Sequence, residues 1–424
     1  MKTLLKNAKI LSMMDDKPIY EGDLVITDDK ITYAGQKAPK ASYDKVIDCG
    51  GNLLMPGFKN AHTHSAMSFV RSYADDLALH DWLFDKIFPL EAKLQAEDQY
   101  YLSKVSILEY LTSGMTACFD MYYNPEEMMK ASLDMGFRSV LLGTVTKYRE
   151  SVPELVSHYK NINGKSPLVS YRLGYHAEYT ASEEILKALS KAAHDVKCPI
   201  FTHICETENE VKECKERHHG LDPVEYMESL GLLDFGGGGF HCVHFSDKDI
   251  EIFKKHGASA ITCPGSNSKL ASGIAPLTKF VSSGLNLGMG TDGPASDNGL
   301  DMFYEMHLAC VLQKLLNKDP AAFDASLALK AATVGSAKAM GLNDCLYLEV
   351  GQQADIVMID LKRPNMQPIN NISKNLVYSG AKDDVKMTMV AGKILYMDGL
   401  FYVNEDVESI YKHAQEITER IKAA

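Results

Sequence analysis

No two of the nine cysteines stand at CxxC spacing, and their number is odd. This excludes a disulfide framework and predicts reduced thiols in a cytoplasmic protein, most of them acting as small core residues. No stretch approaches the ~18 apolar residues of a membrane span. The first residues, MKTLLKN, lack the apolar core and small-residue cleavage site of a signal peptide. There is no run of Lys and Arg, and the net charge is −12. A polyanionic partner such as nucleic acid needs a basic face to displace its counterions, so that class is disfavoured. No GxGxxG follows an early strand, which removes the signature of a dinucleotide-binding open sheet. Internal repeats and low-complexity segments are also missing.

What is present suits one large enzyme-sized unit. The chain has 424 residues, 46% apolar and 24% charged, with 30 Gly and 15 Pro, so a sizeable core can be buried. Both ends read as short strands. GDLVITDDKITYAG (22–35) is a hairpin around Asp28-Asp29-Lys30, and GQQADIVMIDL (351–361) and VKMTMVAGKILYMDG (385–399) are strand–turn–strand text. Between them, eight candidate strands alternate with helical text: 53–64, 116–122, 139–145, 170–176, 199–204, 239–245, 259–265 and 286–292. SEEILKALSKAAHDV (182–196) shows the helical pattern most clearly, with Ser182 as its cap. A second helix is read over 325–342. The expectation is an α/β fold, a (β/α)8 TIM barrel over 56–345. A small β-sandwich domain comes from both termini (1–55 plus 346–404), and a charged amphipathic helix closes the chain at 405–424.

Barrel active sites lie at the C-terminal ends of the strands. There the sequence places His62-Thr63-His64, whose imidazoles point the same way because alternate strand residues share a face. His176, His203 followed by Glu206, His241 with His244, and Asp292 stand at later strand ends. Singly, each has a plain structural explanation: a satisfied core histidine, a helix cap, or a carboxylate in a helix's first turn. Together they do not, because buried His and Asp are costly unless paired. Imidazoles and a carboxylate converging on one point make a nitrogen/oxygen donor set for zinc or iron(II). An open position would remain for a water, whose pKa the metal lowers to about 7.

PGFKNAHTHSAMSFVRSYADDLALHDWL (56–83), THICETENEV (202–211), HCVHFSDKDI (241–250), CPGSNSKLASGIAP (263–276), GTDGPASDNGLDMFYEM (290–306) and LEVGQQADIVMID (348–360) run in order along the chain. In these motifs the sequence resembles the amidohydrolase superfamily. Within it, the match is to the branch holding S-adenosylhomocysteine/5′-methylthioadenosine deaminases, guanine deaminase and triazine hydrolases. The resemblance implies one divalent metal, Zn2+ or Fe2+, on His62, His64, His203 and Asp292. It also implies catalytic roles for Glu206 (proton transfer), His241 (water or leaving group) and Asp292. The binuclear relatives' carboxylated lysine has no counterpart on the fourth strand, which favours a mononuclear site.

For substrate, the resemblance to adenosine-type deaminases puts Glu91 on the ribose hydroxyls, His176 on the purine nucleoside and Arg149 on a homocysteine tail, with Glu206 and Asp292 at the reacting ring. Two departures touch the tail pocket. A second family arginine is replaced around LLGTVT (141–146), and the proline after the fourth-strand histidine is Glu178. The implied reaction is water attack at C6 of an adenosine derivative: S-adenosylhomocysteine, 5′-methylthioadenosine, adenosine or 5′-deoxyadenosine. Asp292 passes a water proton to the leaving amine. Another heterocycle (guanine, a pterin, a triazine or cytosine) is the competing enzymatic reading, and Glu91 discriminates, since a bare base has no ribose. A non-catalytic scaffold is the reading from another class, but such a chain should have lost ligands. The partner is a small molecule, with no nucleic acid and no membrane, and a homo-oligomer is implied only by the resemblance.

Overall fold

The computed structural model describes residues 1–423. Strands β1 (Lys2–Ile10), β2 (Tyr20–Thr27), β3 (Lys30–Gly35), β4 (Lys45–Asp48) and β5 (Leu53–Pro56) open the chain. Then come β6 (Phe58–Thr63), β7 (Met115–Met121), β8 (Arg138–Leu142), β9 (Val169–Gly174), β10 (Ile200–Ile204), β11 (Gly237–His241), β12 (Ser259–Thr262) and β13 (Asn286–Met289). The chain ends with β14 (Ile356–Ile359), β15 (Val385–Val390), β16 (Lys393–Met397), β17 (Leu400–Phe401) and the helix Val407–Ala423.

β6 to β13 form one parallel sheet in sequence order, with helices between successive strands, and this sheet curls into a barrel. Its first and last strands meet through the Asp292 N–H, which donates to the His62 carbonyl at 3.0 Å. The Asn60 side chain adds two bonds to Thr291, at 2.8 and 2.9 Å. The interior is apolar: Phe119, Phe201 and Phe240 pack among Ala61, Val140 and Ile261. Each such phenylalanine contributes about 1.5–3 kcal/mol by burial. The helix Glu183–Val196 begins where Ser182 accepts from the Ile185 N–H at 3.4 Å, and it buries Leu186, Leu189 and Ala193 against the barrel.

The other nine strands form a second sheet in the order β17-β16-β15-β14-β5-β1-β2-β3, with β4 beside β1. Leu24, Ile26 and Ile31 from one arm pack in the same apolar cluster as Ile356, Met387 and Met389 from the other, so the sheet folds over on itself. Arg138 of β8 ties it to the barrel through a buried pair with Asp355, at 2.7 and 3.1 Å. All nine cysteines are unpaired and buried. No helix among the described residues is long and apolar enough to cross a membrane.

Five of the expected strands differ, those over 139–145 and 286–292 by ending three residues early, at Leu142 and Met289. Residues 53–64 are two strands in different sheets, split at Gly57, where a Cβ would lie 2.2 Å from the Thr116 side chain. A side chain there would block the passage from sheet to barrel. The strand expected over 239–245 stops at His241, which has φ +71. The strand expected over 259–265 stops at Thr262, because Pro264 starts a helix, Pro264–Lys269.

Candidate active site

His62 and His64 leave β6 on the same side and meet His203 from β10. The Nε2 atoms of His203 and His62 are 3.1 Å apart, and those of His203 and His64 3.3 Å. Asp292 Oδ1 lies 3.5 Å from His62 Nε2 and 3.3 Å from His64 Nε2. The donor atoms form two overlapping triads, His62–His64–Asp292 and His62–His203–His241, each with all its atoms within 4.8 Å of one another, and His62 is common to both. His64 Nδ1 donates to the Met121 carbonyl at 2.6 Å and His203 Nδ1 to the His176 carbonyl at 2.7 Å. Each of those rings thus has its lone pair on Nε2, and the two lone pairs face each other. Such an arrangement is repulsive without an electrophile between them, so the residues fit a divalent cation. His62 is oriented differently: its ring stacks on Phe240 at 3.9 Å and its Nδ1 has no partner. Burial holds the His62 imidazole neutral down to about pH 3 and lowers His203 well below its usual value. At His64 burial is outweighed by the Asp292 carboxylate, which raises the pKa, so the Nε2 lone pair is free only when a cation other than the imidazole's own proton partners Asp292.

The carboxylate is held as firmly. Ser266 and Ser296 each donate to Asp292 Oδ2 at 2.7 Å, which leaves Oδ1 facing the histidines. Asp292 itself is left-handed, with φ +60. Cys205, just before Glu206, and His241 are left-handed too, at φ +51 and +71. Non-glycine residues pay about 1–3 kcal/mol for this, and the surroundings must enforce it. Glu210 does so for the first turn, its two oxygens accepting the Cys205 and Glu206 N–H groups at 2.8 Å each.

Glu206 is buried beside the cluster, with Oε2 3.8 Å from His241 Nε2, and Oε1 accepting from Ser272 at 3.2 Å. Burial pushes its carboxyl above the usual carboxylate range, with His241 opposing. His241 Nδ1 donates to Asn267 Oδ1 at 2.8 Å, which turns Nε2 into the cavity. On the opposite wall, Glu91 Oε1 accepts from Tyr122 at 2.5 Å, leaving Oε2 free. His176 bonds Thr180 through Nδ1 at 3.1 Å.

His64, His176, His203, Glu206, His241, Asp292 and Glu91 all line one cavity of about 60 Å³. Leu79, Leu83, Tyr179 and Leu270 separate it from an outer groove of about 980 Å³. Arg149 is not in the cavity wall. Its guanidinium lies over the Tyr123 ring at 4.7 Å and donates to the Glu91 carbonyl at 3.1 Å. His244 turns away, bonding the Ser272 carbonyl at 2.8 Å. The residues that sequence reasoning left without roles are the supports: Tyr122, Glu210, Ser266, Asn267, Ser272 and Ser296. Ser266, Asn267 and Ser272 sit inside the CPGSNSKLASGIAP motif, so the signal was present without a geometry to interpret it.

Residues 53–395 match the amidohydrolase family, and the chain belongs to it. It is a hydrolytic enzyme of the metal-dependent amidohydrolase type, built on a barrel whose strand ends carry the site. Two curated relatives span essentially the whole chain. A 5-methylthioadenosine/S-adenosylhomocysteine deaminase of Thermoanaerobacter pseudethanolicus is 38% identical, covering 98% of both chains. A 5′-deoxyadenosine deaminase of Methanosarcina mazei is also 38% identical, covering 99% of both. Among solved structures, a zinc-bound adenosine deaminase from Xanthomonas campestris superposes with a TM-score of 0.94 at 27% identity, over 100% of this chain and 99% of that one.

Proposed function

We propose that this enzyme hydrolyses the exocyclic amine of adenosine-type nucleosides, releasing ammonia and the inosine analogue. The carrying observation is that His62 packs against His64, His203 and Asp292, and that the last three line one cavity together with Glu206, His241, Glu91 and His176. Zinc is the cation favoured by this donor set, as in the Xanthomonas structure. When bound, it would lower the pKa of water to about 7 and so supply a nucleophile near neutral pH.

The chain's own residues divide the rest. Glu206, whose pKa burial raises and so favours the protonated form, gives its proton to the ring nitrogen next to C6. Asp292, whose carboxylate Ser266 and Ser296 hold in place, takes one proton from the attacking water and passes it to the amine as the C6–N bond breaks. The second water proton restores Glu206, while the proton it gave stays on the product's ring nitrogen. His241 Nε2 accepts a hydrogen bond from the attacking water. Glu91 Oε2 binds ribose hydroxyls, and His176, whose pKa burial lowers to about 3, meets the base as a neutral ring.

The test is a turnover screen on zinc-loaded protein, following the absorbance change at the purine ring and ammonia release. The substrates are adenosine, 5′-deoxyadenosine, 5′-methylthioadenosine, S-adenosylhomocysteine and guanine. A kcat/KM above about 10⁴ M⁻¹s⁻¹ on an adenosine derivative supports the reading. Turnover of guanine alone would overturn the ribose assignment of Glu91.

A further inference from the structure

We infer that Asp297 and Glu305 form a carboxyl pair that retains one proton between them, and that this pair positions Asp292. The inference rests on the role given to Asp292 above and adds two positioning residues to that site.

Asp292 hangs from two serines on separate segments. Ser266 belongs to the helix Pro264–Lys269 and Ser296 to the turn after β13, and both donate to Oδ2 at 2.7 Å. The residues beside those serines, Gly265 and Asp297, are brought together by a third segment. Glu305, in the first turn of the helix Met302–Asn317, accepts the Gly265 N–H through Oε2 at 2.8 Å. A Cβ at Gly265 would lie 2.5 Å from Glu305 Oε1 and 2.6 Å from Asp297 Oδ1, so the two carboxyl groups meet on one side of that glycine.

Glu305 is fully buried, and its Oε1 has no N–H or hydroxyl donor among the described residues. The groups facing the pair do not compensate it. Asp292 and Asp301 are further acids, and Asp301 Oδ1 already accepts the Phe303 N–H at 2.9 Å. Cys263 and Tyr304 are neutral neighbours whose own pKa values are raised. Lys269, on the Asp297 side, is in an ion pair with Asp75.

Two ionised carboxylates here would repel each other and leave a buried acceptor bare, which is costly. One proton on Glu305 Oε1, donated to Asp297 Oδ1, removes a charge and satisfies the orphaned oxygen together. Burial and the facing Asp297 hold the Glu305 carboxyl well above the usual carboxylate range, so the proton stays at neutral pH. With it, Gly265, Glu305 and Asp297 form a closed link between the two serines. The link fixes their spacing, and through them the Asp292 carboxylate.

Infrared difference spectroscopy on the zinc-loaded enzyme tests the proton. At about pH 8 an ordinary Glu, with a pKa of about 4.3, is ionised. The wild-type-minus-Glu305→Gln spectrum is expected to show the carbonyl band of one protonated carboxyl. Carboxylate bands in its place overturn the inference. If Glu305→Gln does not fold, Asp297→Asn takes its place. Its amide donates to Glu305 Oε1 in the proton's stead, so Glu305 ionises and the same band is lost.

The positioning role is read from kcat. Asp297→Ala frees the Ser296 turn and is expected to lower kcat on the best nucleoside about 10–100-fold with KM little changed, the range for groups that hold a metal-site carboxylate. Asp297→Asn is expected to stay within about threefold of wild type. Wild-type kcat in Asp297→Ala, or equal losses in both variants, overturns the role. If no nucleoside is turned over, the deaminase reading fails separately, and zinc affinity by chelator competition replaces kcat with the same expected factors.

Discussion

Replacing Glu206 by Gln removes the group that can give and take a proton and changes little else. The side chains are nearly isosteric, and the amide oxygen can still accept from Ser272, as Oε1 does now at 3.2 Å. The metal-facing atoms of His62, His64, His203 and Asp292 are untouched. What disappears is a carboxyl whose pKa burial raises, against the opposing His241. General acid catalysis of this kind contributes about 10²–10⁴-fold, or roughly 2.7–5.4 kcal/mol of barrier. Glu206→Gln should therefore lower kcat on the best nucleoside by that factor while zinc content and the unfolding midpoint stay at wild-type levels.

The pH profile adds a second readout. A raised pKa keeps the acid form populated to higher pH, so wild-type kcat should be full below that pKa and fall as pH rises through it. The variant should lose this alkaline limb. Metal analysis, circular dichroism and steady-state rates across the neutral range check all three points. A kcat within about threefold of wild type would refute the proton-transfer role. Loss of zinc together with activity would refute it too, by making Glu206 a ligand.

Other consequences concern its supports and the scaffold. Glu210→Gln places an NH2 against the Cys205 or Glu206 N–H, both now accepted at 2.8 Å. The expected cost is about 1–3 kcal/mol of stability and a fall in kcat larger than the change in KM. Glu91→Gln keeps a partner for Tyr122 but replaces the carboxylate, so KM for nucleosides should rise about tenfold or more while zinc content is unchanged. Unaltered KM would remove Glu91 from ribose binding. Asp355→Ala strands the buried Arg138 guanidinium and should cost about 3–5 kcal/mol in denaturant unfolding. Burial works against the Asp355 charge, but Arg138 outweighs it and holds the pKa below the usual value. This contribution is present above the unfolded carboxyl pKa of about 4 and is lost as pH falls through the folded one. The variant should lack that part of the acid destabilisation.

The sequence by itself determined the donor set and its strand-end placement. HxH on a strand puts two imidazoles on one face, and His203, Glu206, His241 and Asp292 each close an apolar run of strand length. It also determined the 22–35 hairpin and the helix capped by Ser182, since these depend on local periodicity and turn chemistry that neighbouring residues fix. Tertiary structure alone decided where Gly57 breaks one apolar run into strands of two sheets. It alone decided which serine and asparagine hold Glu206 and His241, because Asn267 reaches His241 across 26 residues and Ser272 reaches Glu206 across 66. The left-handed turns at Cys205, His241 and Asp292 were illegible for the same reason: they are imposed by partners elsewhere in the barrel. Arg149 illustrates the limit most clearly. Nothing local to Arg149 announces its stacking on Tyr123 or its bond to the Glu91 carbonyl, partners that only barrel closure brings to it.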